Sequence, residues 1–379
     1  MQRVSFRFPT AIRFGSGARA SLAELRDAHG VERPLLVTDA GLTKTPAYSL
    51  VQSTMDEVWD DAWHVFSGVH PNPLEGDADA GYAAYKEGEC DAVIGLGGGS
   101  ALDGAKAIVL RIGAPEGPLT DVDTSKLPDV IVPLCAIPTT AGTGSETGRS
   151  TVFTAASHGR KVVIGCPALL PQLAILDPEL TVSLPAHLTA ATGMDAMTHA
   201  IESFVCPVFH PFCDGVALEA VYRVRRFLPR AVADGNDIEA RGEMLVAAAM
   251  GATAFQKDLG AAHSLAHPLS SEHGAHHGLA NAIVLPHVVR FNGEVDSMQY
   301  ARVAIALGLQ VDEDPAELVA SFLEQFNASI GITQRLRDIG VPEDALPTLA
   351  KKALLDPCHA TNPRPCSEAD LLALYKKSY

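Results

Sequence analysis

The chain has no CxxC pair, no GxSxG elbow, no excess of basic residues and no apolar run long enough to cross a bilayer. Each absence excludes something. Its seven cysteines, Cys90, Cys135, Cys166, Cys206, Cys213, Cys358 and Cys366, are odd in number and scattered through 379 residues. That is the pattern of free thiols in a reducing compartment. Without GxSxG, the serine-hydrolase reading fails. A formal net charge of −16 argues against non-specific nucleic-acid binding and against anionic membrane surfaces. The charge is spread along the chain with no acidic tail, so its expected role is solubility. The opening "MQRVSFRFPTAIRFGSG" has no apolar h-region, so no signal peptide is expected and the cytoplasm is the expected location. No uninterrupted apolar stretch approaches the ~18 residues of a transmembrane helix. No repeat period or low-complexity tract is present.

What is there is an ordinary globular composition, 47% apolar and 20% charged. The length suits two domains. Residues 1–183 alternate short apolar runs with glycine-rich turns and helical patterns. Candidate strands are "PLLVTD" (34–39), "DAVIGLG" (91–97), "VIVPLCAIPT" (130–139) and "LAILDP" (173–178). Their near-continuous Val, Ile and Leu content is that of buried parallel strands. Strand–helix alternation predicts an α/β layer with a parallel sheet. "VSFRFPTAIRFGSG" alternates like an exposed hairpin, serving as an edge or an intersubunit ribbon. Residues 184–379 read as long helical patterns and predict an all-α second domain.

"GLGGGSALDGAK" (95–106) follows a strand and opens a helix. Glycines there let backbone approach a phosphate, and a helix N-terminus supplies free N–H groups. The GxGxxG pattern fails at its last position, where Ser100 stands as the expected N-cap. "PTTAGTGSETG" after strand 130–137 offers Thr139, Thr140, Thr143 and Ser145 as hydroxyl donors. Two such loops at strand ends suit a diphosphate and its ribose. Structural turns and a solvated loop are the bland readings. Asp39, closing its strand, either takes ribose hydroxyls or merely ends the strand.

"GMDAMTHAIE" places Asp195 and His199 at i and i+4, on one helical face. "HSLAHPLSSEHGAHHG" (263–278) repeats that spacing with His263 and His267. Pro268 then predicts a helix end or bend, and His276 and His277 follow. Asp with several His suits Fe(II) or Zn(II). Spacing alone leaves open which histidines ligate. His273 reads as solvent-facing and His276 as pocket wall or surface.

Taken together, "GLGGGSALDGAK", "IPTTAGTGSE", "GMDAMTHAIES" and "GAAHSLAHPLSSEHGAHHGLANAIVLPHVVRFN" resemble the iron-containing (group III) alcohol dehydrogenase family over nearly the whole chain. The likeness is to its lactaldehyde reductase and 1,3-propanediol dehydrogenase branches. The resemblance implies a Rossmann-like domain that binds NAD(P), and a helical domain that holds Fe(II) or Zn(II), in a dehydroquinate synthase-like fold. It implies Asp195, His199, His263 and His277 as ligands. His267 is then a non-ligand near the nicotinamide and the candidate proton relay. Gly97, Gly98 and Ser100 would meet the pyrophosphate, Asp103 would lie close by, and Thr139, Thr140 and Thr143 would line the cofactor loop. Asp39 would favour NAD(H) over NADP(H). The expected function is a metal-dependent dehydrogenase or reductase of a small alcohol or aldehyde, in a homodimer built on the N-terminal hairpin. The alternatives are a semialdehyde-acid reductase, an NAD-assisted lyase or cyclase resembling dehydroquinate synthase, and a non-enzymatic metal-binding protein. Asp258 departs from the family's usual Gly. Cys358 and His359 in "DPCHATNPRP" are expected near the substrate. Arg149, Lys161 and Lys257 would either confer an anionic preference or be solvated.

Overall fold

The computed structural model describes residues 8, 10–157, 161–311 and 313–379. Among these, one compact unit takes residues up to 140 and 144–184, and the other takes 141–143 and 185–379. No helix of the described residues is long and apolar enough to cross a membrane.

The first unit is built on a sheet of β1 (Ala11–Phe14), β2 (Pro34–Val37), β3 (His64–Phe66), β4 (Ala92–Gly97), β5 (Leu134–Pro138) and β8 (Leu173–Leu176). All pairings are parallel, in the order β1-β8-β5-β4-β2-β3. The four central strands lie within the runs expected from their apolar content, and every residue in them is buried. Successive side chains enter opposite cores. Leu35, Val37 and Val93 pack with Ile108 and Ala105, while Leu36, Ile94 and Leu96 pack with Val51, Met55 and Trp59. Period-2 alternation with both faces covered requires apolar residues at every position. The flanking helices are α1 (Ala23–His29), α2 (Pro46–Trp59), α3 (Glu75–Glu87) and α4 (Gly99–Gly113).

The chain leaves β2 for β3 on one side, then crosses back to β4 on the other. The carboxyl ends of β2 and β4 therefore flank a topological switch point, where such sheets bind ligands. A separate antiparallel hairpin, β6 (Ser150–Thr154) with β7 (Lys161–Gly165), follows β5. Along β6, buried Thr151 and Phe153 alternate with half-buried Ser150, Val152 and Thr154, a strand pattern just beyond the polar loop of residues 138–148. The expected N-terminal hairpin falls partly on residues outside the described ones. Its described part, β1, is a parallel edge strand.

The second unit is helical: α5 (Ala186–Val205), α6 (Pro211–Ala233), α7 (Ile238–Ala254), α8 (Ala261–His273), α9 (His277–Gly293), α10 (Ser297–Ala306), α11 (Pro315–Ser329), α12 (Leu346–Leu355) and α13 (Glu368–Ser378). Helix α5 is buried almost throughout, from Thr189 to Val205. Pro268 does not end α8. The helix runs on to His273 and stops at Gly274, whose φ of 65° makes a left-handed cap. Pro268 forgoes one backbone bond, but Leu265 and Leu269 on either side are buried in the core, and tertiary packing overrides the local signal.

Candidate metal centre and cofactor loops

In the helical unit three helices converge. Asp195 and His199 project from α5, His263 and His267 from α8, and His277 from the first position of α9. A Cβ on Gly278 would sit 2.1 Å from the Ala191 carbonyl oxygen, so only glycine lets α9 approach α5 this closely. That approach brings His277 against Asp195. Asp195 Oδ1 lies 3.9 Å from His263 Nε2 and 3.5 Å from His277 Nε2. The three ligand atoms lie within 4.8 Å of one another. Bonds of about 2.1 Å in a tetrahedral site separate ligand atoms by roughly 3.4 Å, close to this spacing. His199 stands beside the trio rather than in it. Its ring stacks on His263 at 4.7 Å, and its Nδ1 is buried without a hydrogen-bond partner.

Asn281, one turn after His277, fills the centre. Its Nδ2 is 2.8 Å from Asp195 Oδ1, 3.3 Å from His263 Nε2 and 3.2 Å from His277 Nε2. An amide nitrogen carries two hydrogens, so it cannot serve three acceptors at once. Its own Oδ1 is buried and unpartnered. Unmet acceptors converging in a buried place are costly, and a divalent cation resolves that cost. The protonation states agree. Burial works against ionised Asp195, but the surrounding histidines outweigh it and hold the carboxyl down at about 2. Burial pushes His199 down to about 4 and His277 well below its ordinary value, leaving neutral imidazoles fit to ligate. The residues present thus fit a divalent metal ion.

Behind the cluster stand two carboxylates that sit within the quoted segments but are not among the expected site residues. Glu202 Oε2 accepts from His263 Nδ1 at 2.5 Å, and its Oε1 accepts from the Ala262 N–H at 2.6 Å. This fixes the tautomer that leaves His263 Nε2 bare. Burial opposes a charge on His263, yet Glu202 raises it overall. Asp356 does the same for His267, with Oδ2 2.7 Å from Nδ1. Its other oxygen accepts from Ser264 Oγ and the Cys358 N–H. Although burial disfavours the ion, these donors, His267 foremost, hold Asp356 well below the carboxylate range. Burial first, then Asp356, pushes the Cys358 thiol far up, so it is a neutral group. His359 donates its N–H to Ser264 Oγ at 2.7 Å. A signal for Glu202 and Asn281 existed in the sequence: each lies three or four residues beyond a histidine on the same helix. Asp356 opens the "DPCHATNPRP" segment, but nothing in the sequence pairs it with His267, 89 residues away.

Two expectations are corrected in this unit. Lys257 is neither solvated nor free to greet an anion. It is buried, 2.5 Å from Asp214 Oδ1 and 3.2 Å from the Phe204 carbonyl, and joins α5 to α6. His273 is half-buried in the last turn of α8 rather than solvent-facing. His276, at the N-cap of α9, is exposed.

In the sheet unit the site is mostly backbone. Gly97 has φ 145°, and a Cβ there would meet Ala101 Cβ at 2.7 Å and stand 3.8 Å from Asp39 Oδ2. Gly95 packs the strand on α4, with Ala105 2.9 Å from its hypothetical Cβ. The N-cap of α4 is Gly98, not Ser100, and no side chain caps it. Ser100 Oγ instead donates to the Pro71 carbonyl at 2.5 Å. The first N–H groups of α4 therefore remain available to an anion. Thr139 N–H is bonded to the Gly97 carbonyl, and Thr140 lies against Gly98. Asp39 Oδ1 accepts from Gly41 and Leu42 N–H, ending the strand in a turn and leaving Oδ2 toward Gly97. Asp103 turns to Ser145 Oγ at 2.8 Å, within reach of buried Lys106, and burial raises its pKa. Lys161 is half-buried near Asp103, and Arg149 is exposed.

Comparison with known proteins agrees with both halves. Residues 9–178 match the model for iron-containing alcohol dehydrogenases, and residues 189–379 match that for the C-terminal part of the Fe-containing alcohol dehydrogenase family. The chain is 39% identical to 4-hydroxybutyrate dehydrogenase of Cupriavidus necator, covering 97% of this chain and 98% of the relative. It is 36% identical to 1,3-propanediol dehydrogenase of Citrobacter freundii (97% and 96%) and 33% identical to lactaldehyde reductase of Escherichia coli K12 (97% of each). A solved 1,3-propanediol oxidoreductase superposes with a TM-score of 0.93 at 34% identity, over 100% of both chains. The chain therefore belongs to the iron-containing alcohol dehydrogenase family and is an oxidoreductase acting between small alcohols and aldehydes.

Proposed function

We propose that the chain transfers hydride between a small alcohol or aldehyde and NAD(H), with Asp195, His199, His263 and His277 holding Fe(II) or Zn(II). The observation that carries this is the convergence of Asp195, His263 and His277 on one amide nitrogen that cannot satisfy them all. When bound, the ion supplies a Lewis acid toward the substrate oxygen. The donor set suits either metal. Asp356 holds the Nδ1 hydrogen of His267, so Nε2 is free to take up or return the alcohol proton. The glycine turn and the uncapped start of α4 take the pyrophosphate, through Gly97, Gly98 and Ser100 backbone, and Thr139, Thr140 and Thr143 flank it. Asp39 Oδ2 accepts ribose hydroxyls and repels a 2′-phosphate, which favours NAD(H) over NADP(H). The chain's free thiols support a cytoplasmic setting. The exposed Ile12 and Phe14 of edge strand β1 support a homodimer, which sedimentation checks.

One panel tests the reading. Protein reconstituted with Fe(II) or Zn(II) is offered small aldehydes with NADH or NADPH. Consumption of NADH is expected with at least one aldehyde, with kcat/KM at least about 10-fold above that with NADPH, which is ~1.4 kcal/mol of discrimination. A substrate that disappears with no change in the NADH band would instead establish the lyase alternative. The name of the 4-hydroxybutyrate dehydrogenase relative makes a semialdehyde acid the second substrate class to include.

A further inference from the structure

Asp258 has φ 89° and ψ 179°, a conformation that is essentially glycine's own. It forms the bend between the turn Phe255–Lys257 and α8. The bend is held from all sides. The Asp258 N–H donates to the Phe255 carbonyl, and its carbonyl accepts from Ser203 Oγ. Cys206 Sγ donates to the Lys257 carbonyl, and Thr361 Oγ1 to the Leu259 carbonyl. A Cβ on Gly260 would meet Glu202 Oε1 at 2.8 Å and Asn362 Oδ1 at 3.0 Å. The backbone is thus fixed by its neighbours, and a side chain is carried there at a cost.

That side chain is an exposed carboxylate with no hydrogen-bond or ion-pair partner among the described residues. Its neighbour Lys257 gives its ammonium to Asp214 instead. The Asp258 charge also reaches the Cys358 thiol, to whose rise it is the smallest contributor after burial, Asp356 and Glu202. Cys358 clusters with His267 and Asp356. Thr361, which ties down the bend, belongs to the same short turn as Cys358.

We propose that Asp258 is a specificity-determining residue, placing a negative charge near the turn that carries Cys358, where it selects substrates whose far end is hydroxylated or neutral over those ending in carboxylate or sulfonate. The inference rests on the alcohol–aldehyde reading of the site. A hydroxyl donates to the carboxylate in a charge-assisted bond. A second anion about 8 Å away, at an effective dielectric constant of about 40, is disfavoured by about 5-fold.

The test measures kcat/KM with NADH for butanal, 3-hydroxypropanal and succinic semialdehyde, in the metal-loaded wild type, Asp258→Gly and Asp258→Asn. The ratio of succinic semialdehyde to butanal should rise about 5-fold in both variants, and the wild-type ratio should rise with added salt. The ratio of 3-hydroxypropanal to butanal should fall. Thermal stability should rise in Asp258→Gly, which relieves the backbone, and not in Asp258→Asn, which keeps it. Unchanged ratios in both variants, with wild-type turnover intact, overturn the proposal alone. A wild type that oxidises NADH with none of the three aldehydes overturns the alcohol–aldehyde reading and the proposal with it.

Discussion

The two loci of this chain are made of different materials. At the switch point of the sheet, the groups on offer are backbone N–H donors, and the side chains matter by being absent: Gly95, Gly97 and Gly98 leave room. At the convergence of α5, α8 and α9, the working groups are side chains, buried and in excess of what their neighbours can satisfy. The first locus is complete as folded and offers a cradle. The second carries unmet lone pairs and asks for a cation. Each should therefore fail in its own way, and independently of the other.

The largest expected effect comes from His263→Ala combined with His277→Ala. Turnover should fall by about 1,000-fold or more, equivalent to ~4 kcal/mol of lost transition-state stabilisation. Bound metal, measured by elemental analysis, should fall to background. NADH affinity, followed by nucleotide fluorescence, should stay within about 3-fold, since the sheet locus is untouched. Chelation of the wild type should reproduce this split. Loss of NADH binding along with the metal would break the comparison.

Next is Gly97→Ala, the mirror experiment. Alanine at φ 145°, with a contact of 2.7 Å to Ala101 Cβ, forces the turn to move. Strain of about 1–3 kcal/mol at such a position should weaken NADH binding at least about 10-fold, while metal content stays at the wild-type level. A smaller effect, confined to the metal locus, is expected of Glu202→Gln. Losing the charge behind His263 should lower metal affinity about 10- to 100-fold in a chelator competition, with NADH affinity unchanged.

These materials also explain what is legible in the sequence. The four central strands are legible because burial on both faces demands continuous Val, Ile and Leu. The pairs Asp195–His199 and His263–His267 are legible because helical spacing puts them on one face. Hairpin β6–β7 is not, because its alternating residues follow a run of Thr, Gly and Ser that looks like one long loop. Ser100 looks like a cap because the rule for helix starts favours a hydroxyl, but no side chain caps α4 and Ser100 bonds to the Pro71 carbonyl instead. Pro268 misleads because a local rule knows nothing of the buried Leu265 and Leu269 around it. The segment that carries Asp356 is marked by "DPCHATNPRP", but its pairing with His267 cannot be read from the sequence, since it exists only through the fold.

The smallest expected effect sharpens the contrast, because the sheet unit hides charges too. Glu146, within the polar loop that follows β5, is buried with Oε1 unpartnered. Burial pushes its carboxyl up to about 7 from an ordinary 4.5. Lys106 nearby donates to the Ser145 carbonyl, Ser145 Oγ and the Ser150 carbonyl, and burial pushes it down to about 8. For Glu146 the folded state keeps its proton longer than the unfolded state. Between about pH 4.5 and 7 the unfolded chain therefore binds fewer protons, and stability falls as pH rises. Lys106 acts in a separate window: above pH 8 the unfolded chain binds more protons, and stability recovers toward 10.5. Glu146→Gln has no proton to lose. Its melting temperature, relative to the wild type, should gain little at about pH 5 and several degrees at about pH 7.5, corresponding to about 1–2 kcal/mol. Parallel curves for the two proteins across that range would mean that the Glu146 charge is satisfied in solution, and that the sheet locus holds no strain comparable to that of the histidine cluster.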